Sequence, residues 1–180
     1  MKQIAYAVAF MLIFASAIHA QSPQPSPEQK KLLVCVGDWT YVEERRDSAS
    51  ESWYKVAGSM QARTILGGFF NEWRSKETVK GKEMEGVEIG GYDPAKKTII
   101  TSFFLSDGSI GRVTSGTFVG NRLDVKYTVA GVDGKTSENR NAWTYAADGM
   151  SVSGLGERLI DGKWVPTRKM SFTKIKSADK

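Results

Sequence analysis

Gly120–Gly134 reads GNRLDVKYTVAGVDG, and the fold follows from that stretch. Leu123, Val125, Tyr127 and Val129 alternate with Arg122, Asp124, Lys126 and Thr128. This period of two marks a strand with one buried face and one wet face. Gly120-Asn121 opens the segment and Asp133-Gly134 closes it, with residues that tolerate the positive φ of tight hairpins. Outward from it, breakers recur at Gly68, Gly81, Pro94, Gly108, Gly120, Gly134, Gly149 and Gly162, spaced 13, 13, 14, 12, 14, 15 and 13 residues apart. Each interval holds one strand with half a turn at either end, and no window has helical periodicity. The pattern is an antiparallel meander.

The reading gives ten strands, near 38–47, 53–66, 69–79, 83–92, 96–106, 109–119, 121–131, 136–146, 150–160 and 164–176. Asp93-Pro94 sets up a type I turn, and Asp107-Gly108, Asp148-Gly149 and Asp161-Gly162 repeat the hairpin chemistry. Met84, Gly86, Glu88 and Gly90 share one face of the fourth strand, and Gly154 and Gly156 recur in the ninth. Small residues there let a strand coil sharply or another group approach. An open ten-strand meander leaves two bare edges, so closure into an up-and-down barrel is expected, with a sandwich as the alternative.

The flanks divide the chain further. Met1–Ala20 combines Lys2, an apolar run from Ile4 to Phe14 and a small-residue exit, the pattern of a cleavable signal peptide with cleavage after Ala20 favoured over cleavage after Ala17. That predicts a periplasmic or secreted protein. Residues 21–27 form a proline-rich leader, 28–176 a single barrel domain and 177–180 a tail. Ser26-Pro27-Glu28-Gln29 reads as a capping box that starts a helix of about ten residues, ended by Gly37. Leu32, Leu33, Cys35 and Val36 give it an apolar side, and a helix this short must dock, most naturally on a barrel mouth.

Composition narrows the chemistry. His19 is the sole histidine and leaves with the signal peptide; Cys35 is the sole cysteine, read as a buried small hydrophobe. Ser-His-Asp and Cys-His arrangements, common zinc sites and haem held by a proximal histidine are therefore excluded from the mature chain. No motif for a resident cofactor is found. Net charge is +5, or +4 without Lys2, with basic pairs interleaved with acids. That is a solvated surface, and it argues against nucleic-acid binding. No second apolar run reaches membrane length, so no membrane partner is expected once the signal is cleaved.

Ile65-Leu66-Gly67-Gly68-Phe69-Phe70 and Glu85-Gly86-Val87-Glu88-Ile89-Gly90-Gly91-Tyr92-Asp93-Pro94-Ala95-Lys96-Lys97 resemble pieces of a bacterial family known as domain of unknown function 1579. Val36-Gly37-Asp38-Trp39 and Ser115-Gly116-Thr117-Phe118 fit it too, over about Pro27 to Lys174. The resemblance implies a calycin-like barrel, similar to lipocalins and fatty-acid-binding proteins, and brings no catalytic residues.

Candidate ligand-binding residues are Arg63, Glu72, Trp73, Phe103, Tyr127, Arg140 and Trp143. An inward arginine would hold a ligand carboxylate bidentately. Trp39, Trp53, Trp73, Trp143 and Trp164, with Phe69, Phe103, Tyr127 and Phe172, are available to line a pocket or fill a core. Ten strands make a wider barrel than the eight that already admit one small ligand in lipocalins. The expected function is therefore a carrier of a small apolar or amphipathic molecule. The alternatives are an enzyme using Glu72 with an arginine, and an interaction module using the loops Arg46–Ser52 and Val79–Lys82. Oligomeric state is not legible.

Overall fold

Ser26 caps the first helix. Its Oγ accepts a hydrogen bond from the Gln29 amide at 3.1 Å, and Pro27 takes the first helical position of α1 (Pro27–Lys31). The protein is seen in a computed structural model that describes residues 23–175, so the expected signal peptide and residues 177–180 lie outside the described residues. The helix departs from expectation in two ways. After five α-helical residues it tightens into a 3₁₀ turn, Leu32–Cys35. The buried residues become Gln29, Leu32 and Cys35, three apart as a 3₁₀ period demands, while Leu33 stays exposed. The Gln29 side chain does not close the capping box; its Oε1 instead accepts from the Tyr92 amide at 2.6 Å.

Ten strands follow: β1 (Gly37–Arg45), β2 (Tyr54–Ile65), β3 (Phe70–Val79), β4 (Lys82–Asp93), β5 (Thr98–Leu105), β6 (Ile110–Val119), β7 (Arg122–Ala130), β8 (Thr136–Tyr145), β9 (Ser151–Ile160) and β10 (Lys163–Lys174). Each pairs antiparallel with its neighbours, and β1 closes on β10 from Trp39↔Lys174 to Arg45↔Arg168. The result is a closed up-and-down barrel with no free sheet edge.

The hairpins use two solutions. At Lys80-Gly81 and Asp161-Gly162 both loop residues have positive φ, as a primed two-residue turn requires. At Asp107-Gly108 and Asp133-Gly134 only the glycine does. There the aspartate Oδ1 accepts the amide two residues on, at 2.8 and 3.1 Å. These are three-residue loops that end on a left-handed glycine.

Two bulges decide which side chains point inward. In β10 the register shifts between Pro166 and Arg168, and Thr167 is the extra residue. The shift turns Arg168, Met170 and Phe172 to the inside and leaves Trp164 outside. In β6 a shift between Val113 and Ser115 ends the β5–β6 ladder after four pairs, Thr101↔Val113 to Phe104↔Ile110. Beyond it the Thr98 hydroxyl bridges the seam, accepting from Gly116 N–H at 2.8 Å and donating to its carbonyl at 3.1 Å.

The helical segment closes the mouth where β1 begins. Trp39, 1% exposed, donates its indole N–H to the Cys35 carbonyl at 2.9 Å, and Asn71 donates to the Leu32 carbonyl at 2.9 Å. Leu32, Cys35, Ile99, Leu123, Tyr145, Val152 and Phe172 pack beneath it as the core.

Candidate functional site

The core does not fill the barrel. A cavity of about 340 Å³ runs from the underside of Leu32 and Cys35 toward the far mouth. Its wall is mainly aromatic and aliphatic. Tyr41 stacks on Phe172 with ring centroids 4.8 Å apart, Trp143 meets Phe172 edge-on at 5.4 Å, and Phe103 meets Tyr127 at 6.0 Å. Trp39 and Trp73 complete the aromatic lining.

Toward the far mouth the wall becomes ionic. Arg168 donates to Glu43 through Nε (3.1 Å) and Nη2 (2.9 and 2.7 Å), and Arg45 Nε donates to Glu43 Oε2 at 2.6 Å. Arg45 Nη1 and Nη2 grip Glu77 bidentately at 2.8 and 2.6 Å, and the Tyr41 hydroxyl donates to Glu77 at 2.8 Å. Alternation carries this network. Glu43 and Arg45 continue the inward face of Trp39 and Tyr41, and Glu77 that of Trp73. Burial alone would raise the pKa of Glu43, but Arg168 and Arg45 outweigh it and hold the carboxyl below its usual range. Burial also lifts the Tyr41 hydroxyl far above the phenol range, reinforced by Glu77.

Glu88 stands apart from this network, midway along β4. Among the described residues it makes no ion pair, and it lines the cavity. Burial raises its pKa, opposed by the neighbouring Thr101 hydroxyl and the charge of Arg168. Thr101 Oγ1 is itself buried without completing a hydrogen bond. At the closed end Cys35 Sγ lies 3.0 Å from the Tyr145 hydroxyl, and burial pushes the thiol pKa up to about 11. Cys35 is buried in the core cluster, as a packing residue is.

The sequence-derived candidates divide by face. Trp73, Phe103, Tyr127 and Trp143 line the cavity. Arg63, Glu72 and Arg140 point outward from their strands. Glu72 pairs with Arg74 at 2.6 Å on the surface, and Arg63 is exposed opposite Glu72. Arg140 pairs with Glu157 at 2.5 Å and lies over the Trp164 ring. None of the three lines the cavity, and Glu72 faces away from it. Trp53 also lies outside, beneath Arg46 and Lys169. The loop 46–52 is tied down by Arg46 to the Pro166 carbonyl (2.8 Å) and by Lys80 to Asp47 (2.7 Å); the large exposed apolar residues lie elsewhere.

Residues 24–174 match the profile of a family described as "Protein of unknown function (DUF1579)". The chain belongs to that family. No curated protein matches it. Among solved structures it is similar to Rv2717c from M. tuberculosis, at 9% identity and TM-score 0.62, covering 85% of this chain and 100% of that one. It is also similar to the S-type phycobiliprotein lyase CPES from Guillardia theta, at 10% identity and TM-score 0.55, covering 86% and 100%. At such identities the likeness is one of fold. Within the DUF1579 chain the pocket therefore has to be read from its own residues.

Proposed function

We propose that this DUF1579 chain is an exported barrel that binds one small amphipathic molecule in its interior. The observation that carries the reading is the cavity of about 340 Å³, walled by aromatic side chains and ionic at one end. That volume is at the lower end of the range for small-ligand sites, which are apolar pockets with a few placed polar groups. A protein needing only stability would fill such a space, because an apolar void of this size costs several kcal/mol. Similarity to a phycobiliprotein lyase is compatible with a small-molecule role and assigns none. The Met1–Ala20 pattern supports a location outside the cytoplasm.

Native mass spectrometry of protein purified from its own host tests both halves. A chain beginning at Gln21 and carrying one bound molecule of a few hundred daltons is expected. An unliganded mass contradicts the binding role, and retention of Met1–Ala20 contradicts export.

A further inference from the structure

The charge lining the cavity does not balance. Of the residues on its wall, Arg45 and Arg168 are cationic and Glu43, Glu77 and Glu88 are anionic. Both arginines are engaged. Arg45 uses Nε, Nη1 and Nη2 on Glu43 and Glu77, and Arg168 grips both oxygens of Glu43. A ligand carboxylate entering here would displace an existing ion pair and add negative charge to a wall that already has one carboxyl in excess. The excess carboxyl is Glu88, and beside it Thr101 is buried, its hydroxyl turned to that carboxyl and its oxygen accepting no other hydrogen bond among the described residues.

The fold builds this pair deliberately. Glu88 lies between Gly86 and Gly90 on the inward face of β4, and Gly90 opposes Thr101 across the β4–β5 ladder. A Cβ at Gly90 would collide with the Thr101 methyl and Cβ, so the glycine is what lets the Thr101 side chain lie against β4 beside Glu88.

We propose that Glu88 and Thr101 form the polar pole of the cavity and receive the cationic, hydrogen-bond-donating head of the ligand, a primary ammonium group. The ligand's apolar body lies along Trp73, Phe103 and Trp143. This rests on the binding role proposed above and deepens it, since a bare apolar cavity would take a head of any charge. An ammonium supplies three donors, enough for the carboxylate and for the Thr101 oxygen together. It also brings the wall to neutrality. The barrel thereby selects against fatty acids.

Three ligands of one chain length separate the possibilities: n-decylamine, n-decanol and decanoate, titrated at pH 7 by calorimetry into wild-type protein and Glu88→Gln. Wild type should bind decylamine about tenfold or more tightly than decanoate, the equivalent of about 1.4 kcal/mol. Glu88→Gln should lose that preference while binding decanol as wild type does, which shows the cavity intact. Decanoate binding as well as decylamine, or an amine preference that survives Glu88→Gln, overturns this assignment and leaves the carrier role standing. Failure of all three to bind overturns the carrier role itself.

Discussion

Glu43 is 2% exposed and shares its two oxygens between two guanidiniums; without it Arg45 keeps Glu77, but the buried Arg168 loses its carboxylate. Breaking a buried pair from one side leaves an unanswered charge. Glu43→Gln should therefore cost about 3–5 kcal/mol in urea unfolding at pH 7. Asp124→Asn, which breaks the exposed pair with Arg122, should cost under about 1 kcal/mol. The pH dependences of Glu43 and Glu88 are opposite. Glu43 has a depressed folded pKa, so its contribution is present above the unfolded value of about 4.3 and is lost as pH falls through the folded one. Glu88 has a raised folded pKa, so ligand-free protein loses stability as pH rises through that value. Ligand-free Glu88→Gln should therefore melt above wild type at pH 7, with the gap shrinking toward pH 4 in thermal scans. A gap that widens on acidification would contradict the raised pKa. Both carboxylates were legible in principle, because Glu43 follows Trp39 and Tyr41 in phase and Glu88 shares the face of two glycines. Sequence inspection weighted Glu72 instead, which lies in phase between Phe70 and Arg74 on a strand otherwise aromatic. That phase is the outer face, where Phe70 and Arg74 are exposed.

At the scale of the element, turn chemistry located the strands and bulges decided their phase. Asp-Gly and Pro signals gave ten strands with ends close to those observed, because hairpin turns depend on a few local residues. The extra residue at Thr167 has no turn signal, and its one local mark is Pro166 before it, which cannot donate to the ladder. It reverses the inside and outside sets of β10, which is why Arg168 was not foreseen as a cavity residue and Trp164 was grouped with the lining. The helix shows the same limit. Ser26 and Pro27 set its start, but docking on the barrel mouth tightened its second half to a 3₁₀ turn. The β5–β6 seam is the weakest join in the wall, with four ladder pairs and one side-chain bridge. Thr98→Val keeps the shape and removes the bridge, leaving a buried amide and carbonyl of Gly116 unpaired. The expected cost is about 1–3 kcal/mol, with faster amide exchange at Gly116. Unchanged exchange there would show that the bridge closes nothing.

For the whole molecule, closure of the barrel and the interior it encloses are separate facts, and only the first was readable from periodicity. Alternation tells which residues share a face; whether ten inward faces meet or leave a gap depends on side-chain volumes summed around the barrel. The outer wall complicates any binding measurement, since Ile89, Phe104 and Ile110 form exposed apolar surface on β4, β5 and β6. A fluorescent apolar probe has two places to bind, and a cavity-filling substitution separates them. Val125 lines the cavity from β7 and does not belong to the outer patch. The decisive measurement is saturation titration of such a probe into wild type and into Val125→Trp, each first shown to be folded. One site per chain in wild type, abolished in Val125→Trp, is the predicted result. A site that persists unchanged in Val125→Trp would place the probe on the outer wall and contradict a hollow, ligand-binding interior.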